Sequence, residues 1–548
     1  MPNVAILGNV PLVVYSAEDP MKLSRILICL SELAVAVLIS TAPLGAEPPA
    51  RVGRLNLVNG SVSFRPGVLD EWSTATVNYP LTTGDSLWTT KGAEAEIHVG
   101  STAIRLGSNT DISFLNLDDN AIQIQLTGGS VNIRLRHLSK NELFEVATPN
   151  ASIMLMAEGS YRIDVKHSGN ARVTVRLGQA EMTVANQAFM VTSGQAVMVP
   201  QADPQSFWTQ DSMPADAWDT WCSQRDTQED NIASTQYVPA DVVGVEDLDQ
   251  YGTWTTTADD GPAWMPASVP DAWAPYSNGR WAWVEPWGWT WIDNAPWGFA
   301  PFHYGRWAHL DNRWGWIPGK AVQRTRPVYA PALVVFVGGM EPSPSWSGNG
   351  IGWFPLGPHE AYIPPYKAGT TYLRNMNAFA GANVGSSNTY RPQTSYINRN
   401  IPGALRGVQG QPFGKAQATG SAYSALSKEM AHAPVMGTTA KVVPQRESIG
   451  AFSPPAGTTI ERPAAGLEQK PVVARTSPPS APTSFNARQS ELAKNQGRPL
   501  DQGTINKIEK AAPTPRPNNV NVVNAQNVKT VKPVQQSNSQ WWSKQSGP

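Results

Sequence analysis

The residues of this sequence whose type and spacing could form a binding site are tryptophans and arginines in one central stretch. Of the 21 tryptophans, 14 lie between Trp254 and Trp353. Gly252, Gly279 and Gly305 recur there at steps of 27 and 26 residues, and each begins a G-x-W triplet that a second tryptophan cluster follows. A fixed period of this length is typical of repeated supersecondary units, so the pattern predicts a series of small β-hairpins.

Two interpretations of these tryptophans stay open at the level of sequence. Each ring can bury on the order of 200 Å², so a few rings suffice to form the core of a short unit. Alternatively, the rings are exposed as flat platforms that stack on sugars, peptides or proline-rich chain, and neighbouring arginines order them through cation–π contacts. The candidate ligand-binding residues are Trp281, Trp283, Trp287, Trp289, Trp291, Trp307, Trp314, Trp316, Arg280 and Arg306.

Motifs for catalysis or metal binding are absent from the sequence. None of the seven histidines stands at metal-ligand spacing from a cysteine or another histidine. Asp118-Asp119-Asn120 is short of the twelve-residue calcium loop that ends in Glu, and we interpret it as a hairpin turn. Nucleophile-elbow, Walker and dinucleotide-binding motifs are also missing. The sequence therefore predicts a protein that is not an enzyme and that uses no metal and no cofactor.

Residues 51–200 alternate apolar and polar side chains with the period of β-strands. The apolar sets are Ile122, Ile124 and Leu126, then Val131, Ile133 and Leu135, then Val173, Val175 and Leu177. Turn-forming groups separate such runs, among them Asn59-Gly60, Asp118-Asp119-Asn120, Gly128-Gly129 and Ser193-Gly194. Many short strands at this spacing predict a mainly β domain, built as a sandwich or a β-helix-like stack.

Three segments of this region resemble the FecR domain. They are GRLNLVNGSVSFRPG from Gly53, PLTTGDSLWTTKGAEAEIHVGSTAIRLGSNTDISFL from Pro80 and FEVATPNASIMLMAEGSYRIDV from Phe144. The resemblance implies a periplasmic β-domain. The best known family members relay a signal from an outer-membrane transporter to a sigma factor, which requires a cytoplasmic segment and a membrane helix before the domain. Only a signal-like segment precedes Arg51, so we expect the β-domain and its location, and treat signal relay as a disfavoured alternative.

The tryptophan-rich stretch also resembles a known family. The run GRWAWVEPWGWTWIDNAPWGFAPFHYGRWAHLDNRWGWIPG from Gly279, together with IGWFPLGPHEAYIPPY from Ile351, is similar to a Trp/Pro-rich domain of unknown function that follows FecR domains in proteobacterial proteins. The resemblance covers about residues 250–380. It implies no activity, because none is established for that family.

The N-terminus predicts export. A start at Met21 gives a basic segment with Lys22 and Arg25, an apolar run, and Ala46 as a small residue before cleavage. The apolar run is short for a membrane-spanning helix, and Glu32 interrupts it. We therefore expect a periplasmic or cell-surface protein that is not an integral membrane protein once the signal is cleaved. Loss of Cys29 with the signal would leave Cys222 as a buried or bystander thiol.

Composition shifts divide the chain into five parts. They are an N-terminal extension with the signal peptide (1–50), the FecR-like β-domain (51–200), a linker with a short helix (201–245), the Trp/Pro/Gly-rich repeat domain (246–380) and a disordered, basic, low-complexity tail (381–548). From residue 401 onward, 17 Lys and Arg face 7 Asp and Glu, whereas the chain before it has 25 against 36. Such a tail either touches acidic surfaces, including its own body, or is simply solvated.

These features favour binding over catalysis. The first hypothesis is an exported scaffold that binds an envelope protein through the FecR-like domain. The second is a module that binds cell-wall or capsular glycan through exposed tryptophan faces. Nucleic acid is excluded as a partner, because the body is acidic and the tail is weakly charged and lacks interleaved aromatic residues.

Overall fold

A computed structural model describes residues 4–6, 11–13, 47–319, 326–339, 350–378, 380–382, 395–409, 413, 430–450, 459–512, 519–524 and 529–536. The chain forms two compact units, Met1–Glu47 and Pro48–Pro548. In the first unit, β1 (Val4–Ile6) pairs with β2 (Pro11–Val13) in antiparallel orientation. The predicted signal segment, residues 21–46, lies outside the described residues.

The first part of the second unit is built almost entirely from strands. Their bounds are β3 (Gly53–Asn59), β4 (Val62–Arg65), β5 (Ser73–Thr74), β6 (Pro80–Leu81), β7 (Ser86–Thr89), β8 (Glu94–Val99), β9 (Thr102–Leu106), β10 (Thr110–Leu117), β11 (Ala121–Leu135), β12 (Leu143–Ala147), β13 (Ser152–Leu155), β14 (Gly159–Val165), β15 (Ala171–Leu177), β16 (Gln179–Val184), β17 (Gln187–Thr192), β18 (Gln195–Val199) and β19 (Trp208–Asp211). Among the described residues 38% lie in strands and 17% in helices, which confirms the predicted mainly β class.

These strands form one continuous sheet that folds over itself into two layers, the β-sandwich. One layer has the order β6, β3, β8, β9, β11, β14, β15, β18, β19. The other has the order β5, β4, β7, β10, β11, β12, β13, β16, β17. The long strand β11 belongs to both layers, because its first half pairs with β10 and β12 and its second half with β9 and β14.

Gly128-Gly129 lies inside β11, so the prediction of a turn at this pair was wrong. Gly129 has a φ of +95°, and a Cβ added there would collide with Thr110. Only glycine combines a left-handed φ with so close an approach. The pair therefore lets β11 bend from one layer into the other without ending the strand.

The predicted strand alternation places apolar side chains between the two layers. Ile124, Val131 and Val173 have no exposed surface. The hairpin turn predicted at Asp118 is present between β10 and β11, where its carboxylate accepts hydrogen bonds of 2.8 Å from the amides of Asn120 and Ala121. Local residue choice thus accounts for both the core and this turn.

Leu177 is an exception to the alternation, since 53% of its surface is exposed. In the β14–β15 pair, Ser160 opposes Leu177 but the next residue, Tyr161, opposes Val175. The additional residue, Arg176, forms a bulge. A shift of one residue turns every following side chain to the opposite face, which carries Leu177 out of the core.

The tryptophan-rich stretch contains the three predicted hairpins and a fourth one after them. The strands are β20 (Gly252–Thr257), β21 (Gly261–Pro266), β22 (Gly279–Val284), β23 (Gly288–Asp293), β24 (Arg306–Leu310), β25 (Arg313–Ile317), β26 (Val334–Gly339) and β27 (Gly350–Pro355). The strands pair two by two in antiparallel orientation: β20 with β21, β22 with β23, β24 with β25, and β26 with β27. The first and third hairpins join through Trp264 and Trp316 into one four-stranded sheet.

Helices are short and lie around these sheets. They are α1 (Ala217–Asp230), α2 (Leu248–Tyr251), α3 (Ala300–His303), α4 (Thr370–Ala378), α5 (Ala465–Glu468), α6 (Phe485–Lys494) and α7 (Gln502–Ala511). Helix α1 occupies the stretch where a short helix is predicted, and its Trp218 and Trp221 rings stack with centroids 5.1 Å apart. Asp216 caps it with a capping box, in which Asp216 and Asp219 each accept from the other's backbone amide.

The last described strands all pair with other parts of the chain. They are β28 (Arg406–Gln409), β29 (Val435–Gly437), β30 (Val472–Ala474), β31 (Val520–Val522), β32 (Lys529–Thr530) and β33 (Val534–Gln535). Strands β28 and β29 flank the β26–β27 hairpin, and β30 pairs with β31. Strands β32 and β33 extend the two layers of the sandwich at β17 and β19.

About a third of the predicted disordered tail, 381–548, lies outside the described ranges. Its described segments have no core of their own and lie on the body, with Leu492 fully buried there. Arg475 pairs with Glu181 at 3.0 Å, and Arg488 forms an ion pair with Glu285. At these places the basic tail contacts its own acidic body, which is one of the two alternatives that its charge allows.

Within the described ranges, no helix has the length and apolar character needed to cross a membrane.

Candidate functional site

Each predicted hairpin places a tryptophan ring of its second strand over the glycine at, or directly before, the start of its first strand. A Cβ added to Gly279 would lie 2.7 Å from the Trp291 ring, closer than real Cβ contacts come. The repeated glycine is therefore required by the ring that covers it, which explains the period seen in the sequence. The three pairs are Gly252 with Trp264, Gly279 with Trp291, and Gly305 with Trp316.

The polar ends of these covering rings are satisfied inside the core. Trp291 donates through Nε1 to the Asp293 carboxylate at 2.9 Å, and the backbone amide of Ala295 donates to the same carboxylate at 2.9 Å. Burial raises the pKa of Asp293 to about 7 despite these two donors. In the other two hairpins the acceptors are backbone carbonyls, Leu248 for Trp264 and Tyr304 for Trp316.

All eight predicted ligand-binding tryptophans lie in the core. Trp289 and Trp314 are the most exposed of them, at 6%. The rings contact one another edge to face, for example Trp281 with Trp291 at a centroid distance of 5.4 Å and Trp283 with Trp289 at 5.8 Å. The structure therefore has the core arrangement and no exposed platform formed by these rings. The physical reason is that small hairpins have few other large apolar side chains with which to fill a core. Trp287, Trp307 and Trp316 are buried in the same way.

The two predicted arginines are buried as well. Arg280 donates to the carbonyl of Gly450 at 3.2 Å. Arg306 donates to the carbonyl of Glu360 at 2.9 Å and to the side-chain oxygen of Asn377 at 2.8 Å. Burial lowers the pKa of Arg306 to about 10. Both side chains thus hold loops together from within the core and present no charge to a ligand.

A row of polar side chains crosses the sandwich face beneath α1. Neighbouring strands align its members through direct pairing: Glu96 (β8), Arg105 (β9), Asn132 (β11), Arg162 (β14) and Thr174 (β15). All five are buried although they lie on the outer face of the layer. Helix α1 covers the row with charged side chains, so ion pairs join the helix to the sheet in addition to the buried Cys222 and the Trp218 ring that lies near Gly107.

Arg105 is the centre of this interface. Its guanidinium contacts Glu96 at 2.6 Å, Asp226 at 2.6 Å and Glu229 at 2.9 Å, and its side chain has no exposed surface. Arg225 of α1 contacts the second oxygen of Glu96 at 2.6 Å. Buried ions of opposite sign are tolerated because each charge has several partners.

His98 joins the same network to the start of the tryptophan-rich domain. Its Nδ1 lies 2.6 Å from Glu246, and its Nε2 lies 3.2 Å from Glu96 and 3.5 Å from Glu229. Burial alone would lower the pKa of His98, but these three carboxylates outweigh it and hold the pKa well above 6.5. Arg54 also contacts Glu246, at 2.8 Å. His98 therefore ties the sandwich to α1 and to the segment that precedes β20.

Among the described residues, three members of this network are the one group whose ligand atoms lie close enough to hold a metal ion. Glu96, His98 and Glu229 offer ligand atoms within 4.8 Å of one another. However, both oxygens of Glu96 already accept from guanidinium groups of Arg105 and Arg225 at 2.6 Å. These positive charges repel a cation and use the lone pairs that it would need. We therefore assign the cluster to charge pairing.

A cavity of about 360 Å³ lies where the sandwich, the tip of the β22–β23 hairpin and the segment 479–509 meet. Tyr79, Trp283 and Trp287 contribute aromatic walls. Asp85 accepts hydrogen bonds of 2.8 Å from the amides of Gly67 and Thr82, so its carboxylate fixes the loop that forms one side. The lining is mainly apolar, and of its acidic groups Asp85 holds this loop while Glu285 pairs with Arg488.

Sequence reasoning missed the charged interface although two signals were present. Arginines alternate with apolar residues on the strands that form it, as in Arg134 and Arg136. Asp219, Asp226 and Glu229 recur at helical spacing in α1. Which charges meet depends on strand register, and register is not visible in a single sequence.

Two family models match the chain. The model described as FecR protein matches residues 85–181, and the model described as Family of unknown function (DUF6600) matches residues 245–360. The predicted order, a FecR domain followed by a domain of unknown function, is confirmed. No curated protein matches the chain.

Two crystal structures of a candidate anti-sigma factor from Parabacteroides distasonis ATCC 8503, at 2.50 Å and 1.65 Å resolution, are also similar to part of the chain. Their sequence identities are 13% and 12%, and their TM-scores are 0.21 and 0.22. The similarity covers 23% of this chain and 59% of each of those chains. A likeness at this level supports no functional argument.

Proposed function

We propose that this chain, which carries a FecR domain followed by a domain of the DUF6600 family, is an exported envelope protein that acts as a protein-binding scaffold and not as an enzyme. The observation that carries the proposal is the burial of all ten candidate ligand residues, of which Arg280 is the most exposed at 7%. Because these side chains are buried, they cannot contact a partner, and the outer surface and the sheet edges remain for that contact.

The charged interface supports a scaffold role. Arg105 and His98 connect the sandwich to α1 and to the segment that leads into β20. Several buried ion pairs in one network fix the relative placement of the elements that they join. A rigid body of this kind presents distant surface regions in a constant geometry, as a scaffold requires.

The glycan alternative lacks a supporting observation. A sugar ring that stacked on Trp283 or Trp289 would need the hairpin core to open, because each ring packs edge to face on the other. Opening would expose large apolar area to water at a cost of about 25 cal/mol for each Å². Glycan binding through these rings is therefore the outcome against which the scaffold is tested.

One experiment compares the two directly. The purified full-length chain is immobilised and exposed to detergent-solubilised envelope proteins, and in parallel it is sedimented with insoluble peptidoglycan and capsular polysaccharide. We expect saturable capture of a defined envelope protein, reproduced when that protein is the bait, and no sedimentation with glycan. Sedimentation that Trp289→Ala abolishes while the fold is retained would reject the scaffold.

Export is tested separately by cell fractionation with N-terminal sequencing of the mature protein. We expect a periplasmic or surface fraction and a first residue shortly after Ala46. A cytosolic protein that retains the preceding segment would reject export.

A further inference from the structure

The described part of the tail ends on the open edges of the sandwich. Residues 529–536, here called the edge clip, supply β32 to β17 and β33 to β19, both in parallel orientation. Strand β17 is the last strand of one layer, and β19 is the last strand of the other. One short segment of eight residues therefore pairs with part of each edge, and the two edges are here called the augmentation edges.

The edge clip is held mainly through its backbone. Lys529 donates to the carbonyl of Asn186 and Val531 to that of Ala188, both at 3.0 Å. Gln536 donates to the carbonyl of Thr209 at 2.8 Å. These are the bonds with which an added strand extends a sheet, and they are independent of the clip's side chains.

Side chains of the edge clip contribute little burial. Val534 is 63% exposed, and Lys529, Thr530 and Lys532 are exposed as well. Other described tail segments differ sharply, since Phe485 and Leu492 are fully or almost fully buried. Apart from Val531, which is half-buried against the core, the side chains of the edge clip anchor it weakly, because burial of apolar side chains is the main source of stability in such contacts.

The augmentation edge on β17 continues beyond the clip. β17 runs to Thr192, but the clip pairs only with Gln187 and Ala188. Backbone groups alternate in direction along a strand, so Met190 presents its amide and carbonyl to the same side as Ala188. The Met190 side chain is 44% exposed next to this stretch, with which no described strand other than β16 pairs. An edge strand with an exposed apolar side chain is a template for pairing with another strand.

We infer that the augmentation edges are a docking site for an extended segment of a partner protein, which adds a strand in place of the edge clip. This inference rests on the proposed protein-binding function and specifies its surface. The clip occupies the site within the chain and limits access by competition. A partner segment that continues along β17 to Met190 would form more backbone bonds than the clip does and would bury Met190, whereas the amide of Thr192 already donates to the Gln195 side chain.

The chemistry of the partner segment follows from charge. The clip carries Lys529 and Lys532 and no acidic residue, whereas the chain before residue 401 has 25 basic against 36 acidic residues. A segment of high β-propensity with flanking Lys or Arg therefore fits the edge. An acidic segment would be repelled by the body.

The test uses the full-length chain and a labelled synthetic peptide with the sequence of residues 529–536. The variant Val531→Pro/Gln536→Pro removes two of the amide donors that hold the clip. We expect the peptide to bind this variant at least about tenfold more tightly than the wild type, because a tethered segment competes at millimolar effective concentration. Fluorescence anisotropy gives both affinities.

Controls separate edge pairing from other effects. Thr530→Pro removes an amide that points away from β17, so it should leave the affinity for the peptide as in the wild type. A peptide with prolines at the positions of Val531 and Gln536 should not bind the double variant. Deletion of residues 529–548 provides a second clip-free chain and should bind as the double variant does. Equal, weak binding to wild type and both clip-free chains would overturn the inference.

The outcome is distinguishable from that of the proposed function. If the peptide binds the clip-free variant but no envelope protein is captured, the docking role of the augmentation edges is supported and the scaffold function is rejected. If the same amount of an envelope protein is captured with and without the clip, and the peptide does not bind, the docking role of the augmentation edges is rejected and the scaffold function is supported. A concentration-dependent dimer of the wild type that the double variant loses would assign the edge to the tail of a second copy, and would overturn the choice of a partner protein.

Discussion

At the scale of single residues, the repeated glycines and tryptophans of the central stretch act as pairs. The sequence predicts hairpins from the spacing of Gly252, Gly279 and Gly305, and it leaves open whether the rings are core or platform. The structure decides for the core, because each glycine lies under a ring of its own hairpin. Spacing reveals a repeated unit, but burial depends on what the other hairpins place against it.

Gly279→Ala should destabilise the protein by about 1–3 kcal/mol, the usual effect of forcing an additional carbon into a filled core. The new Cβ would lie 2.7 Å from the Trp291 ring and against the Ile292 carbonyl. Urea unfolding followed by tryptophan fluorescence measures the change. Gly466→Ala is the matched control, since nothing lies within 4 Å of a Cβ at that position. An equal effect of both substitutions would contradict the pairing of glycine and ring.

His98 should make stability depend on pH. Its pKa is raised in the folded protein, so its contribution is present in full below pH 6.5, the ordinary value, and is lost as pH rises through the raised pKa. Glu96 and Glu246 have lowered pKa values and stay ionised over that range, as do the facing arginines Arg105 and Arg225.

The measurement is the free energy of unfolding against pH for the wild type and His98→Gln. The wild type should lose stability above pH 6.5, and the variant should show a flatter dependence. Parallel curves for the two proteins would show that His98 is not protonated in the folded state and does not join these elements through charge.

At the scale of elements, α1 binds the sandwich by an interface that apolar periodicity cannot predict. The helix was predicted from its tryptophans, and both its presence and the strand alternation beneath it are found. The contacts between them involve charges aligned by strand register, such as Glu96 opposite Arg105. The residue types therefore predict the helix and the strands, whereas the contacts between them depend on the register of the strand pairing.

Arg105→Gln should destabilise the protein by about 3–5 kcal/mol, because it leaves the buried carboxylate of Glu96 with fewer partners. Arg134→Gln, on the same layer, should cost at most about 1 kcal/mol, since its partner Asp230 is 39% exposed. Urea unfolding of the two variants provides the comparison. Similar small effects would mean that the α1 interface is not held by buried charge.

At the scale of the whole molecule, the region after residue 381 completes the body in the parts that the structure describes. Composition indicates correctly that it has no core of its own. Composition does not indicate that Phe485 and Leu492 fill a core that other domains leave incomplete. Such long-range contacts carry no local pattern, which is why they were not predicted.

Phe485→Ala should therefore destabilise the whole body by about 3–5 kcal/mol, as for a buried aromatic residue in a domain core. Val534→Ala in the edge clip should change stability by no more than about 0.5 kcal/mol, since the side chain is 63% exposed. Thermal unfolding of both variants tests this contrast. A Phe485→Ala protein as stable as the wild type would show that the segment only lies on the surface.

The rings of the tryptophan-rich domain form its core, and we propose that binding takes place at the outer surface and the sheet edges. Fluorine NMR of the chain labelled with 5-fluorotryptophan tests this burial most directly, with resonances assigned by single Trp→Phe variants and a soluble gadolinium chelate as the probe of exposure. We predict that the resonances of Trp283, Trp289 and Trp291 stay sharp with the chelate and do not shift when soluble cell-wall glycan fragments are added. Broadening of these three resonances together with glycan-dependent shifts would contradict the account.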